Sequence, residues 1–126
     1  MSERRRQQLI GSFREKEYRD AFVASRLATG IAFKLRATRE RRTLTQAQLA
    51  ELSGLRQSVI SRFENLTYEN YSLNFLKKLC AALDVALIVD IVPFSEVVDR
   101  VLRLSPDDMA VQSFDDDRGL DQQVRK

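Results

Sequence analysis

The sequence predicts a mainly α-helical chain with one short β-strand towards its C-terminal end. Three observations carry this expectation. Apolar residues recur at three- and four-residue spacing through most of residues 14–83. Helix start and stop signals stand at Thr45, Gly54 and Ser72. Only Val85-Ala86-Leu87-Ile88-Val89-Asp90-Ile91-Val92 is short, rich in β-branched residues and closed by a proline, Pro93. At 126 residues the chain has the length of one domain.

Residues 1–13, with Arg4-Arg5-Arg6 and little to bury, are expected to be a disordered basic arm. From Arg14, the apolar residues Tyr18, Phe22, Val23 and Leu27 mark an N-terminal helix. Gly30 either interrupts it or lies within it at a cost of about 1 kcal/mol. Ile31, Leu35 and Thr38 form the stripe of a second helical stretch, whose other face holds Lys34, Arg36, Arg39, Arg41 and Arg42.

Thr45-Gln46-Ala47-Gln48 is a capping box, in which the Thr45 hydroxyl and the Gln48 amide satisfy orphan backbone donors reciprocally. Leu44 and Leu49 suit a hydrophobic staple. The helix that follows runs to about Ser53, and Gly54 stands where the chain needs positive φ. Gln57 to Asn65 forms the next helix, with Ile60, Phe63 and Val59 inward and Ser58, Ser61, Arg62 and Asn65 outward. Ser72 caps a further helix whose core stripe is Leu73, Leu76, Leu79, Cys80 and Leu83. The strand at 85–92 is apolar on both faces. Phe94, Val97, Val98, Val101 and Leu102 mark a short final helix, and 105–126 reads as a flexible acidic tail. The expected organisation is therefore 1–13, 14–84, 85–104 and 105–126.

Composition narrows the function. The chain has 21 Lys and Arg against 18 Asp and Glu, a net charge of +3. Residues 1–45 carry a balance of +7, whereas 105–126 carry −3. A basic half with an acidic end suits a polyanion-binding surface, although helix surfaces also carry Lys and Arg for solubility alone. With no His and one Cys, the commonest general base and the usual metal ligands are missing. The aspartates at 115–117 lack the spacing of a calcium loop. The expectations are no enzyme activity, no cofactor and no metal. No uncharged apolar run approaches the roughly 20 residues of a membrane span, which points to a cytoplasmic protein without a membrane partner.

Two short helices joined by a tight glycine turn, the second with a polar outer face, make a helix-turn-helix. Thr45 to Asn65, TQAQLAELSGLRQSVISRFEN, closely resembles the phage repressor/Cro-like (XRE) family of transcriptional regulators, and the resemblance extends over about residues 31–84. It implies a lambda-repressor-like five-helix DNA-binding unit, here with an extra N-terminal helix and the strand and helix that follow. In that family the second helix of the motif enters the major groove. Carried over residue by residue, the resemblance implies that Gln57, Ser58 and Arg62 read bases, with Ser61 and Arg56 beside them. It implies phosphate contacts at Gln46, Thr45 and Asn65. Asn70 and Tyr71, in a loop longer than the family's, would hydrogen-bond phosphates or, for the tyrosine, pack beneath the loop. Arg39 and Glu64 match a structural ion pair. Two positions depart from the pattern. Arg56 stands where an N-cap Ser or Thr is preferred, so it either meets a phosphate or guanine or points into solvent. Leu66 stands where the family usually has Gly.

A lone apolar strand leaves backbone groups unpaired. Pairing with the same strand of a second copy across a two-fold axis is the simplest remedy, with Val85, Leu87, Val89 and Ile91 at the dimer interface. The alternatives are that 85–92 extends a helix or pairs with an N-terminal segment. The partners implied are double-stranded DNA and a second copy. The resemblance implies a homodimeric repressor, bacterial or phage-encoded, on a roughly palindromic operator. The alternative is an antitoxin that also binds a toxin protein, with Phe114 as an apolar anchor.

Overall fold

The computed structural model describes residues 2–66, 71–103 and 109–124. Among the described residues seven helices are formed: α1 Ser2–Ser12, α2 Lys16–Arg41, α3 Gln46–Ser53, α4 Gln57–Glu64, α5 Leu73–Leu83, α6 Phe94–Arg103 and α7 Gly119–Val124. Helices α1 to α6 pack as two units that share α2.

The larger unit combines the C-terminal half of α2 with α3, α4 and α5. Its core is Ala32, Leu35, Leu49, Ile60, Phe63, Phe75, Leu76, Leu79, Cys80 and Leu83. Each helix begins and ends where its local chemistry dictates. The Thr45 hydroxyl accepts from the Gln48 amide at 3.0 Å while Thr45 N donates to Gln48 Oε1 at 2.8 Å, so the capping box is complete. Gly54 ends α3 at φ 74°, and its N–H donates to the Ala50 carbonyl. Ser72 caps α5 by accepting from Phe75 N at 3.1 Å. Asp84 closes that helix at φ 58°, with Val85 N reaching back to the Cys80 carbonyl at 2.9 Å. Leu66 follows α4 at φ 62°. This is the left-handed conformation that glycine adopts without strain, and half-burial of the leucine against the core compensates it here. Burial pushes the Cys80 thiol above its ordinary pKa, which suits a core residue and opposes thiolate chemistry.

The smaller unit is built around Phe13. This ring is 7% exposed and meets Phe22 at 5.1 Å and Phe94 at 5.6 Å, both edge-on, with Tyr18 at 6.1 Å. Arg6 of α1 pairs with Asp99 of α6 at 2.6 Å, and Val98 is buried between the helices. The Arg19 guanidinium lies 5.7 Å from the Phe94 ring centre and donates to the Phe13 carbonyl.

Three expectations are corrected, and the open reading of Gly30 is decided in favour of a helix that runs through it. The segment expected as a disordered arm is α1 and the buried Phe13, because α6 offers its apolar face a partner distant in sequence. The two helical stretches flanking Gly30 are one helix of 26 residues. Packing at both ends of α2 outweighs the cost of about 1 kcal/mol at one glycine. No β-strand occurs among the described residues. Segment 85–93 crosses from α5 to α6 without a backbone ladder, since the isolated chain offers it no neighbouring strand. Its side chains also divide unevenly. Val85 and Leu87 pack against the domain core, whereas Ile88, Val89 and Ile91 are exposed, Ile91 to 98%.

The third correction concerns the tail. Residues 109–117 are held rather than free, and α7 follows them. Val111 N donates to the Thr38 hydroxyl at 3.0 Å, and Arg42 Nη2 donates to the Val111 carbonyl at 2.9 Å. The same guanidinium donates to the Leu83 carbonyl, and Phe114 N donates to the Asp84 carbonyl at 3.1 Å. Thr38, only 1% exposed, thus has both its donor and an acceptor position filled, since its hydroxyl also donates to the Lys34 carbonyl.

Phe13→Ala should therefore destabilise the protein by about 3 kcal/mol, the cost of truncating a buried ring. Urea unfolding of the variant measures this; a change under about 0.5 kcal/mol, as for a surface substitution, would show that residues 1–13 do not dock.

Candidate nucleic-acid interface

The interface is built on α3 and α4, joined by Gly54, Leu55 and Arg56. Leu49 on α3 and Ile60 and Phe63 on α4 are 1% exposed or less and fix the two helices against each other. Ala50 lies between them, half-buried against the same core. With that face of α4 committed inward, Gln57, Ser58, Arg62 and Asn65 are exposed on the other. Ser61 is half-buried and accepts weakly from Asn65 Nδ2 at 3.5 Å. Arg56 occupies the N-cap position at φ −77°, ψ 139° with no side-chain cap hydrogen bond, and its side chain is exposed. The helix therefore starts without the roughly 1 kcal/mol that a capping side chain contributes.

Behind this face lies the expected ion pair. Arg39 Nε donates to Glu64 Oε2 at 2.7 Å and Nη2 to Glu64 Oε1 at 2.8 Å, a two-point fork. The third nitrogen, Nη1, donates to the Leu44 carbonyl at 2.7 Å. Glu64 is 4% exposed and Arg39 9%. Hydrogen bonding to Glu64 raises the Arg39 pKa above its ordinary value and outweighs the opposing effect of burial. A raised pKa keeps the guanidinium charge in place below that value, so deprotonation of Arg39 removes its side of the pair only in strong alkali.

The sequence did not indicate that Gln46 joins this pair. Its Nε2 donates to Glu64 Oε1 at 2.9 Å, so the first residue of α3 is tied to the last residue of α4. Its side-chain amide is thus engaged internally, while the backbone N–H groups at the start of α3 keep the orientation of an anion site. Thr45 is exposed beside them. Arg39 and Arg42, expected on an outer basic face, are turned inward to Glu64 and to the Leu83 and Val111 carbonyls.

Of the two readings of Tyr71, its contacts follow the packing one. Its hydroxyl donates to the Leu27 carbonyl, and its ring meets Phe63 edge-on at 5.0 Å and Phe75 at 6.5 Å. Burial pushes its phenol pKa up, so the donor stays protonated and committed. This is the packing alternative. Asn70 lies outside the described residues.

Two short helices meeting at a left-handed glycine, one tied to the other through a buried carboxylate, and a polar row facing out define a helix-turn-helix. Residues 35–88 match the family described as Helix-turn-helix, and this segment is a DNA-binding domain of the phage repressor/Cro-like (XRE) type. The match runs from the last two turns of α2, residues 35–41, through segment 85–88, and leaves α1, the rest of α2, α6 and α7 outside it. No curated protein and no solved structure matched the chain. Among the described residues no cluster of acidic or thiol side chains could hold a metal ion, and no helix is long and apolar enough to cross a membrane.

Glu64→Gln should cost about 3 kcal/mol, because it leaves the Arg39 charge out of water without its counter-charge. Asp20→Asn, which breaks the exposed Lys16–Asp20 pair, should cost less than 1 kcal/mol. Urea denaturation of both variants makes the comparison, and equal losses would contradict the buried character of the Arg39–Glu64 pair.

Proposed function

We propose that the protein is a sequence-specific regulator of transcription that binds double-stranded DNA as a homodimer and represses by occluding a promoter. The observation that carries this reading is the exposed row Gln57, Ser58 and Arg62 on a helix whose other face is locked into the core. Inserted in the major groove, Gln57 presents a donor and an acceptor to an adenine edge and Arg62 a fork to guanine. Ser58 and the half-buried Ser61 lie between them on the same helix. Arg56, at the positive end of α4, gains most from a nearby phosphate or guanine, because a cation there is otherwise unfavourable. The backbone amides at the start of α3, with Thr45, and the Asn65 amide at the end of α4 suit phosphates on either side. Binding of this kind weakens as salt rises, because cations displaced from the phosphates are released.

The dimer rests on segment 85–92. Ile88, Val89 and Ile91 expose a run of β-branched side chains beside unpaired backbone, a combination that invites another strand. The same segment of a second copy supplies one antiparallel to it, with Val85 and Leu87 keeping their places on the core. Two recognition helices about 34 Å apart then meet a palindrome of one turn of DNA.

A second reading, an antitoxin, is favoured by Phe114, which is 65% exposed beside Asp115, Asp116 and Asp117. It would present this ring to a toxin from a held segment. Co-purification with the product of an adjacent gene distinguishes it.

Selection from a random DNA pool should return a two-fold symmetric site. On that site Arg62→Ala should weaken binding by about 1–3 kcal/mol and relax preference at one base pair, read by fluorescence titration. Unchanged affinity and preference would remove Arg62 from the interface. The double variant Ile88→Asp, Ile91→Asp should sediment as a monomer where the parent sediments as a dimer, and a parent that is itself monomeric at tens of micromolar would sink the paired-strand arrangement.

A further inference from the structure

The smaller unit contains an open cleft that neither the DNA-binding face nor the core explains. It lies between α1, α2 and α6, with a volume of about 330 Å³. Leu9, Phe22, Val101 and Leu102 form its apolar lining, and Arg5, Gln8, Ser12 and Arg26 its polar part. A second hollow of about 270 Å³ shares Arg26 and Val101 and continues along Val23, Leu27 and Val97. An apolar floor with a few convergent polar groups is the usual make-up of a small-molecule site.

The charges on this unit are distributed unevenly. Arg6 is matched by Asp99, and Arg100 and Arg103 are matched by Glu96. Arg5 and Arg26, the two guanidiniums at the larger hollow, meet no carboxylate among the described residues. Arg26 is held in place by the Phe22 ring, 5.4 Å from its centre. Two uncompensated cations beside an apolar floor complement one kind of ligand best: an anionic head on an apolar body. A guanidinium pairs with a carboxylate through two parallel hydrogen bonds.

We propose that this cleft binds an amphipathic carboxylate, an acyl or aryl acid of about ten heavy atoms. Its carboxylate lies against Arg5 and Arg26, and its apolar body lies on Leu9, Phe22, Val101 and Leu102. The site is separate from α3 and α4, so its occupancy is read without DNA.

Octanoate serves as the probe, titrated into the full-length protein and followed by NMR or calorimetry. Saturable binding with a dissociation constant of about 0.1–1 mM is expected for a ligand of this size. Octanamide, the neutral isostere, should bind at least about tenfold more weakly, because the charge-assisted contacts are lost. The exposed double variant Arg5→Gln, Arg26→Gln should lose octanoate affinity by about the same factor. Ser12→Trp, which keeps both cations and fills the cleft, should abolish binding while the far-ultraviolet spectrum stays helical. No saturation by about 10 mM octanoate, some tenfold above the weakest affinity expected, would overturn the proposal. Equal binding of the amide, an unaffected double variant or persistent binding by Ser12→Trp would do the same.

Discussion

A guanidinium and a carboxylate, both nearly removed from water, hold three helices in one arrangement. Arg39 belongs to α2, Glu64 to α4, and Gln46, which joins them through Glu64 Oε1, to α3. Burying such charges is costly, and only a site that satisfies their hydrogen-bonding groups tolerates it. This one comes close, because all three guanidinium nitrogens donate and both carboxylate oxygens accept. The fork constrains orientation more tightly than apolar packing, which tolerates sliding. Helix α4 has only eight residues, too few to be stable alone. Its position is set from outside, by Ile60 and Phe63 on one side and by this pair at its C-terminal end.

The long helix α2 extends that constraint to the rest of the molecule. Its second half supplies Ala32, Leu35 and Arg39 to the DNA-binding domain, and its first half supplies Phe22 to the cluster around Phe13. The two units share one continuous backbone. The docking of α1 and α6 therefore sets how the outer half of α2 is dressed, while the domain core sets where it points. Segment 85–93 bridges the units a second time, with Val85 and Leu87 on the domain and Phe94 in the aromatic cluster.

What could be read in advance was what local chemistry determines. The capping box at Thr45, the turn at Gly54, the cap at Ser72 and the α5 core positions Leu76, Leu79, Cys80 and Leu83 all depend on near neighbours in sequence, whereas Leu73, expected on that stripe, is exposed and Phe75 is buried instead. Arg39 and Glu64, 25 residues apart, were legible only through family resemblance, and the third member, Gln46, was seen but given an outward role. The misreadings fall where a segment's partner is distant in sequence. Residues 1–13 have little to bury until Phe94 and Val98 face them. Arg42 looked solvated because its acceptors, the Leu83 and Val111 carbonyls, carry no side-chain signature. Tyr71 admitted two readings, and the carbonyl of Leu27 decided between them. The strand was inferred from composition, but a strand is a relation between two segments and a single chain supplies one.

The seating of residues 109–117 bears on where the folding unit ends. The family segment stops at residue 88, yet the Thr38 hydroxyl inside it takes its proton donor from Val111, and Arg42 finds one of its two carbonyls there. A fragment trimmed to the recognised boundaries would uncover the Thr38 side of α2 and leave both groups to water. The hydrogen-bonded unit is thus longer than the matched segment, and its added share comes from sequence that, by its acidity alone, looks dispensable.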